Sequence, residues 1–227
     1  MNYSVYGLSR SGNHAIIEWL LKNLSNDISN VNRESKIGIG YGDSYHINDI
    51  SSHDKHLNIS KIISECKIKY NNLIVSYENL NYDYELDITK DFQKIIIIRD
   101  LPNVLASRYK FLTKNSGNQW MTINDEILDC WKKMAYADRD GHLLIKFDHW
   151  VSSKQYRDTI CQRLEIENRD ITNTVPSYGN GSSFVGMKLS TPYELKNRIS
   201  KVEPPDYIKK MILDDGVTEI RKKLGFI

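Results

Sequence analysis

The sequence predicts an α/β protein in three layers, with a mainly parallel central sheet flanked by helices. Short β-branched and aromatic runs alternate along the 227-residue chain with segments whose apolar residues recur at helical spacing. The clearest run, KIIII at Lys94–Ile98, is continuously apolar, as is typical of a strand buried on both faces. The length suits a single domain, residues 1–227, because domains of about 100–200 residues are common.

The remaining elements follow from the same patterns. Further strands are expected at Tyr3–Tyr6, Leu73–Tyr77 and Leu143–Phe147. Helices are expected at Asn13–Leu24, Ile59–Lys69, Asn103–Leu112, Asn124–Ala137, Gln155–Leu164, Pro192–Val202 and Pro205–Leu224, the last broken at Asp215–Gly216. Two polar segments, Asn30–Asp54 and Pro176–Gly186, are interpreted as loops, and long loops in a compact α/β domain are often functional.

Composition and charge exclude several classes of protein. Lys+Arg 31 against Asp+Glu 29 gives a net charge of +2, which excludes a polybasic nucleic-acid surface and leaves a local site for a small anion. Cys66, Cys130 and Cys161 lie far apart without CxxC spacing, which disfavours a disulfide framework or a zinc module. With no signal-peptide pattern and no 18-residue apolar run, we expect a cytoplasmic protein without a membrane span.

The octapeptide GLSRSGNH follows the first strand and opens a helix. Gly7 and Gly12 occupy the two glycine positions of the GxxxxGK[ST] phosphate loop, and Arg10 adds a donor between them. Asn13 stands where that motif has its lysine, and His14 stands where it has the magnesium-binding Ser/Thr. The pattern predicts an anion cradle, meaning a loop whose backbone N–H groups bind an anion, without the residue that would bind magnesium. The alternative is a plain strand–turn–helix corner.

A second candidate anion site follows KIIII. Arg99 lies at the carboxyl end of that strand, where open α/β sheets bind ligands, and Ser107 lies one to two turns into the next helix. An arginine fork and a serine hydroxyl at this edge predict a phosphate pocket. The alternative is that Arg99 pairs with a neighbouring carboxylate and Ser107 is a surface residue.

Together the two elements resemble sulfotransferases that use 3'-phosphoadenosine 5'-phosphosulfate (PAPS). GLSRSGNHAIIEWL resembles the family's P-[KR]-[ST]-G-T loop, which binds the 5'-phosphosulfate. IIIIRDLPNVLASRYKF resembles its R-x7-S element, which binds the 3'-phosphate. Weaker similarities lie at Leu143–Trp150, Asn180–Gly186 and Lys222–Phe226. The resemblance implies a P-loop-nucleotide-hydrolase-like sulfotransferase fold.

The resemblance also implies roles for individual residues. Arg10 would stabilise the charge that develops as the nucleotide leaves, without a metal ion, and the product would be 3'-phosphoadenosine 5'-phosphate (PAP). The chain lacks the hydroxyl pair and the aromatic residue that often follow the family's glycine. A side chain from elsewhere in the chain must therefore pack against the adenine ring. The implied donor-binding residues are Ser9, Arg10, Ser11, Gly12, Asn13, His14, Arg99, Ser107, Gly181, Ser182 and Ser183.

A base for the acceptor hydroxyl is also implied. In one branch of the family this base directly follows the strand that precedes the 3'-phosphate strand along the chain. Glu78 occupies that position here, and His14 is the second candidate. Glu78 could instead be a solvated loop residue, and His14 could merely hydrogen-bond the backbone. Asp148 is expected to cap a helix or pair with a basic residue.

The acceptor is expected to be a hydroxyl or amine of a small molecule, lipid or sugar, bound partly by the Asn30–His56 segment. The segment NSGNQW at Asn115–Trp120 is a candidate lid. His46, His53 and His56 are interpreted as solvated rather than metal-binding, and Tyr41, Tyr45, Trp120 and Trp131 could line an acceptor cleft or belong to the core.

Two other functions stay open from the sequence. A nucleotide kinase or other P-loop phosphotransferase would depend on ATP and magnesium, which the Asn13–His14 pair disfavours. A degenerate module that binds PAP without turnover would lose no activity when Glu78 or His14 is replaced. The oligomeric state has no signature in the sequence.

Overall fold

The fold is built on a seven-stranded sheet in a computed structural model that describes residues 1–32, 38–50, 58–114, 122–170 and 192–227. The strands are β1 (Asn2–Gly7), β2 (Val31–Asn32), β3 (Gly38–Tyr41), β4 (Ser44–Ile47), β5 (Asn72–Glu78), β6 (Gln93–Ile98) and β7 (Leu143–Lys146). They lie in the order β2-β3-β4-β5-β1-β6-β7. Because β4, β5, β1, β6 and β7 pair in parallel and β3 runs antiparallel to both its neighbours, the prediction of a mainly parallel sheet is confirmed.

Helices cover both faces of the sheet, so the three-layer architecture is confirmed. They are α1 (Asn13–Leu24), α2 (Ile59–Lys69), α3 (Leu101–Lys114), α4 (Asp125–Met134), α5 (Phe147–Ser152), α6 (Lys154–Leu164), α7 (Pro192–Lys196), α8 (Asp206–Ile212) and α9 (Asp215–Leu224). Along β6, Ile95 and Ile97 face one core with α1, α5 and α6, whereas Ile96 and Ile98 face a second core with α2, α3, α4, α8 and α9. None of the helices in the described ranges is long and apolar enough to cross a membrane.

The four predicted strands are confirmed, each within one residue at either end, and α1 and α2 have the predicted bounds. The last helical segment breaks at Leu213–Asp214, slightly earlier than expected, because the Asp214 side chain accepts from Val217 N at 3.0 Å and starts α9. Helix α5 was not predicted: the chain turns helical directly after β7, at the residue where the strand was expected to end.

The interpretation of Asn30–Asp54 as a loop is wrong, since β2, β3 and β4 lie within it. Gly42, with a left-handed φ of 51°, lies in the turn between β3 and β4, whereas Gly38 and Gly40 make close approaches: a Cβ at Gly38 would lie 2.3 Å from the Tyr45 hydroxyl oxygen, and one at Gly40 2.6 Å from Ser44 O. In β4 the polar Ser44 is fully buried and its Oγ accepts from Asn72 Nδ2 at 3.1 Å. Buried polar residues of this kind hide the hydrophobic alternation of a strand.

His46 was interpreted as solvated, and this too is wrong. Its side chain is fully buried on the α1 side of β4, where Nε2 lies 3.0 Å from Ser76 Oγ. Burial first, and the nearby His14 second, lower the pKa of His46 well below 6.5. The folded protein therefore holds this imidazole neutral at pH values at which an unfolded chain protonates it.

This burial predicts an acid-sensitive contribution to stability. Since the folded pKa lies below the unfolded one, the contribution is complete above about pH 6.5 and is lost as the pH falls, by up to about 1.4 kcal/mol per pH unit. We expect His46→Gln to lose less stability than the wild type between pH 7 and pH 5, measured by urea unfolding. Parallel pH profiles for the two proteins would contradict this account.

Candidate active site

The loop between β1 and α1 has the backbone that an anion cradle requires. Arg10 and Gly12 have left-handed φ values of 76° and 91°, and Ser11 N donates to Leu8 O at 3.0 Å to close the turn. Glycine is needed at the second position for a further reason: a Cβ at Gly12 would lie 2.2 Å from the Phe147 ring. The loop leads directly into the N-terminus of α1, whose first backbone N–H groups favour an anion.

The end of β5 supports this loop. The Ser9 hydroxyl donates to Glu78 Oε2, and Asn13 Nδ2 donates to Glu78 Oε1 at 3.0 Å and to Leu8 O at 3.2 Å. The structure therefore brings together the predicted base and two predicted donor-binding residues. It also engages the side chains of Ser9 and Asn13 beneath the loop, so these hydrogen bonds support the loop rather than a ligand.

Arg99 joins the two predicted anion sites. It follows the end of β6, is only 1% exposed, and its Nη1 lies 3.4 Å from Arg10 O in the phosphate loop. Its Nη2 donates to Leu195 O in α7, and its guanidinium lies 4.6 Å from the Phe147 ring centre. The alternative that Arg99 forms an ion pair is not seen, because no carboxylate in the described ranges lies within ion-pair distance.

Ser107 meets a residue that the sequence did not indicate, Arg198. Ser107 is fully buried and its Oγ accepts from Arg198 Nη1 at 3.1 Å. The Asn103 side chain holds the segment in place: its Oδ1 accepts from Arg198 N at 2.8 Å, and its Nδ2 donates to Lys196 O at 2.7 Å. The surface alternative for Ser107 is therefore wrong, and a third guanidinium reaches the pocket from the chain after α7.

The site concentrates positive charge away from water. The pKa of Arg99 is lowered to about 10. Burial is the largest cause and the charge of Arg10 adds to it, while the nearby carboxylates of Asp148 and Asp100 oppose the shift. Burial, followed by repulsion from Arg99 and Arg10, also lowers the pKa of Arg198. A bound anion with more than one negative charge would relieve this repulsion.

Several buried donors in the site are free to serve such an anion. Arg10 Nε, Ser11 Oγ and Arg99 Nε are buried, and in the part of the chain that the structure describes they have no hydrogen-bond partner. Buried donors without partners are costly in a folded protein. Their position around the phosphate loop and the end of β6 fits a ligand that carries phosphate or sulfate groups.

The second base candidate, His14, is half-buried at the start of α1, with Nε2 2.9 Å from Asn48 Oδ1. Asp148 was expected to cap the following helix or pair with a basic residue; instead its Oδ2 accepts from Asp100 N at 2.9 Å, while Asp100 pairs with Arg221. The core interpretation is confirmed for three aromatic residues, Tyr41, Tyr45 and Trp131.

Other predicted residues lie outside the described ranges. They are Gly181, Ser182, Ser183, His53, His56 and the candidate lid at 115–120, which includes Trp120. Among the residues that are described, no group of three His, Cys, Asp or Glu side chains could hold a metal ion.

Solved structures with this arrangement of strands and helices include sulfotransferases. The sulfotransferase domain of the Synechococcus PCC 7002 olefin synthase matches 99% of this chain and 94% of its own length, with a TM-score of 0.56 and 11% identity. The chain has a sulfotransferase fold. Mouse sulfotransferase SULT7A1, solved as a complex with PAP, matches 97% of this chain and 88% of its own, with a TM-score of 0.54 and 14% identity. No protein-family model and no curated protein matches the chain.

The packing of Gly12 against Phe147 predicts the effect of an added methyl group. Gly141 is the matched control, because it has a similar φ of 79° but no atom within 4 Å of its Cβ position. We expect Gly141→Ala to cost about 1–2 kcal/mol from the left-handed backbone alone. Gly12→Ala should cost at least about 1 kcal/mol more, because Phe147 must also move. Urea unfolding measures both, and equal losses would mean that the contact with Phe147 is easily relieved.

Proposed function

We propose that the protein transfers a sulfuryl group from PAPS to a hydroxyl or amine of a small-molecule, lipid or sugar acceptor, without a metal ion. The observation that carries the proposal is the contact of Arg99 Nη1 with Arg10 O, which makes the two anion sites neighbours. PAPS and PAP carry phosphate groups at both the 3' and the 5' positions. A site with two adjacent anion pockets suits such a ligand better than one with a single phosphate loop.

The donor would be held by residues from several elements. Arg99, Ser107 and Arg198 would bind the 3'-phosphate, since they converge in one buried pocket. The backbone from Arg10 to Asn13 and the Ser11 hydroxyl would bind the 5'-phosphosulfate. The PAP complex of the mouse structure that shares the fold supports this choice of nucleotide.

When bound, PAPS supplies an activated sulfuryl group, and the remaining catalytic tasks are positioning and charge stabilisation. The Arg10 guanidinium would stabilise negative charge on the oxygen that leaves with the nucleotide. Glu78 would accept the acceptor's proton as the new S–O or S–N bond forms, and His14 is the second candidate for this role. The two carboxylate oxygens of Glu78 already accept from Ser9 and Asn13, which fixes the group beside the loop.

The kinase alternative is weakened by the same contacts. Asn13 occupies the position of the Walker lysine, and its amide donates to Glu78 and to Leu8 O beneath the loop. It therefore supplies no cation to a β- or γ-phosphate.

The three free cysteines support a reducing compartment such as the cytoplasm for the proposed reaction.

The nucleotide assignment is tested by a thermal-shift titration with PAP, ADP, and ATP plus magnesium. A ligand at 100 times its dissociation constant adds about 2.7 kcal/mol of stability. We expect a shift of several degrees with PAP and little with ADP, which lacks the 3'-phosphate. Arg99→Gln should abolish the PAP shift, whereas Arg163→Gln, an exposed arginine in α6, should leave it unchanged. A larger shift with ATP and magnesium than with PAP would favour a phosphotransferase.

The assignment of the base is tested by Glu78→Gln and His14→Ala, assayed with PAPS and a panel of hydroxyl and amine acceptors. We expect Glu78→Gln to lower kcat by about 100-fold or more while the PAP dissociation constant stays within a few-fold of wild type. A loss confined to His14→Ala would exchange the two roles. If the wild type binds PAP but no acceptor is sulfated, a non-catalytic PAP-binding module becomes the better description.

A further inference from the structure

Arg108, the residue after Ser107, is a buried arginine outside both predicted anion sites. Its side chain is fully buried, and it donates to three neutral oxygens: Nε to Ser9 O at 3.2 Å, Nη1 to Thr122 O at 2.6 Å, and Nη2 to Asn79 Oδ1. In the described ranges it forms no ion pair, and Glu78 is the nearby carboxylate whose charge favours it. Burying a guanidinium is costly unless its donors find partners. Here two of the three acceptors are main-chain carbonyls, so the side chain fixes the orientation of the backbone.

The contact with Ser9 O controls the orientation of a peptide group in the phosphate loop. In a trans peptide the C=O and the following N–H point in opposite directions. When Arg108 holds Ser9 O, the Arg10 N–H is turned away from Arg108, and the carbonyl dipole cannot rotate toward a bound anion. Arg99 holds the next carbonyl, Arg10 O, in the same way, so two guanidiniums fix consecutive peptides of the loop.

Asn79 completes the arrangement. Its Oδ1 accepts from Ser9 N at 2.9 Å as well as from Arg108, its Nδ2 donates to Ser9 Oγ at 3.1 Å, and its own N–H donates to Gly7 O at 3.1 Å. Asn79 has a left-handed φ of 59°, which orients it for these contacts. Every polar group of Ser9 is therefore held by Arg108, Asn79 or Glu78.

We propose that Arg108 is a positioning residue that, together with Asn79, holds the phosphate loop in its anion-binding conformation before the ligand arrives. This inference rests on the proposed function as far as the identity of the ligand is concerned, but the orientation of the loop can be measured without one. A loop that is already ordered binds its ligand more tightly, because no conformational entropy is lost in ordering it when the ligand binds.

The variants are Arg108→Met, Arg108→Lys and Asn79→Ala, with Arg139→Met as the control, since Arg139 is exposed and stacks on Tyr136. Two measurements are made on each: amide hydrogen exchange of the ligand-free protein, and the PAP dissociation constant by calorimetry at a temperature at which the variant is folded. We expect faster exchange in peptides covering residues 8–13 in Arg108→Met and Asn79→Ala, with no change in peptides from α2.

We also expect PAP to bind about 10-fold or more weakly to Arg108→Met, with partial recovery in Arg108→Lys. A residue that merely stabilised the fold would lower the free energy of unfolding without changing either readout. Unchanged loop exchange in both Arg108→Met and Asn79→Ala would overturn the proposal, as would unchanged PAP affinity. If the wild type itself does not bind PAP, the proposed function fails, and hydrogen exchange still decides the role of Arg108.

Discussion

The candidate site depends on the parallel pairing of β1 with β5 on one side and β6 on the other. In this register Gly7 lies opposite Glu78 and opposite Ile97, so all three strands end at the same edge of the sheet. The phosphate loop therefore emerges between Glu78–Asn79 and Arg99, which contact it from either side. Asn79 and Glu78 contact Ser9 from one side, and Arg99 contacts Arg10 O from the other. This placement agrees with the general rule that open α/β sheets bind ligands at the carboxyl ends of their strands.

The same geometry has an energetic cost, because it holds several charged guanidiniums away from water. Arg10, Arg99, Arg108 and Arg198 are all largely buried, and in each case burial lowers the pKa of the guanidinium. Main-chain carbonyls and aromatic ring faces replace part of the lost hydration: Phe111 lies 5.1 Å from the Arg10 guanidinium, and Phe147 lies beside Arg99. The two packed cores supply the stability that such a site costs, as is common where a protein is organised to bind charge.

The sequence predicts most of the sheet, and the positions of both candidate anion elements at its strand ends, because these depend on local patterns. KIIII identifies β6, and the spacing of Arg99 and Ser107 places both at one strand end and its following helix. Segments whose burial depends on specific hydrogen bonds were missed, as in β4, where Ser44 and His46 are buried by contacts with Asn72 and Ser76. Arg198 was missed for another reason: it lies 91 residues from Ser107, and no local pattern distinguishes a buried arginine from the many exposed ones.

With Asn13 at the position of the Walker lysine, the positive charge of the candidate site comes from arginines. A lysine in a phosphate loop concentrates charge on one phosphate chain, whereas here the guanidiniums come from the loop (Arg10), the end of β6 (Arg99) and the turn after α7 (Arg198). A ligand with a phosphate group at the loop alone would leave the repulsion between Arg99 and Arg198 largely unrelieved. A ligand with a second, separate phosphate would place negative charge in both pockets. In the proposed function, discrimination between PAP and ADP is thus the relief of like-charge repulsion in the second pocket as much as the gain of new hydrogen bonds.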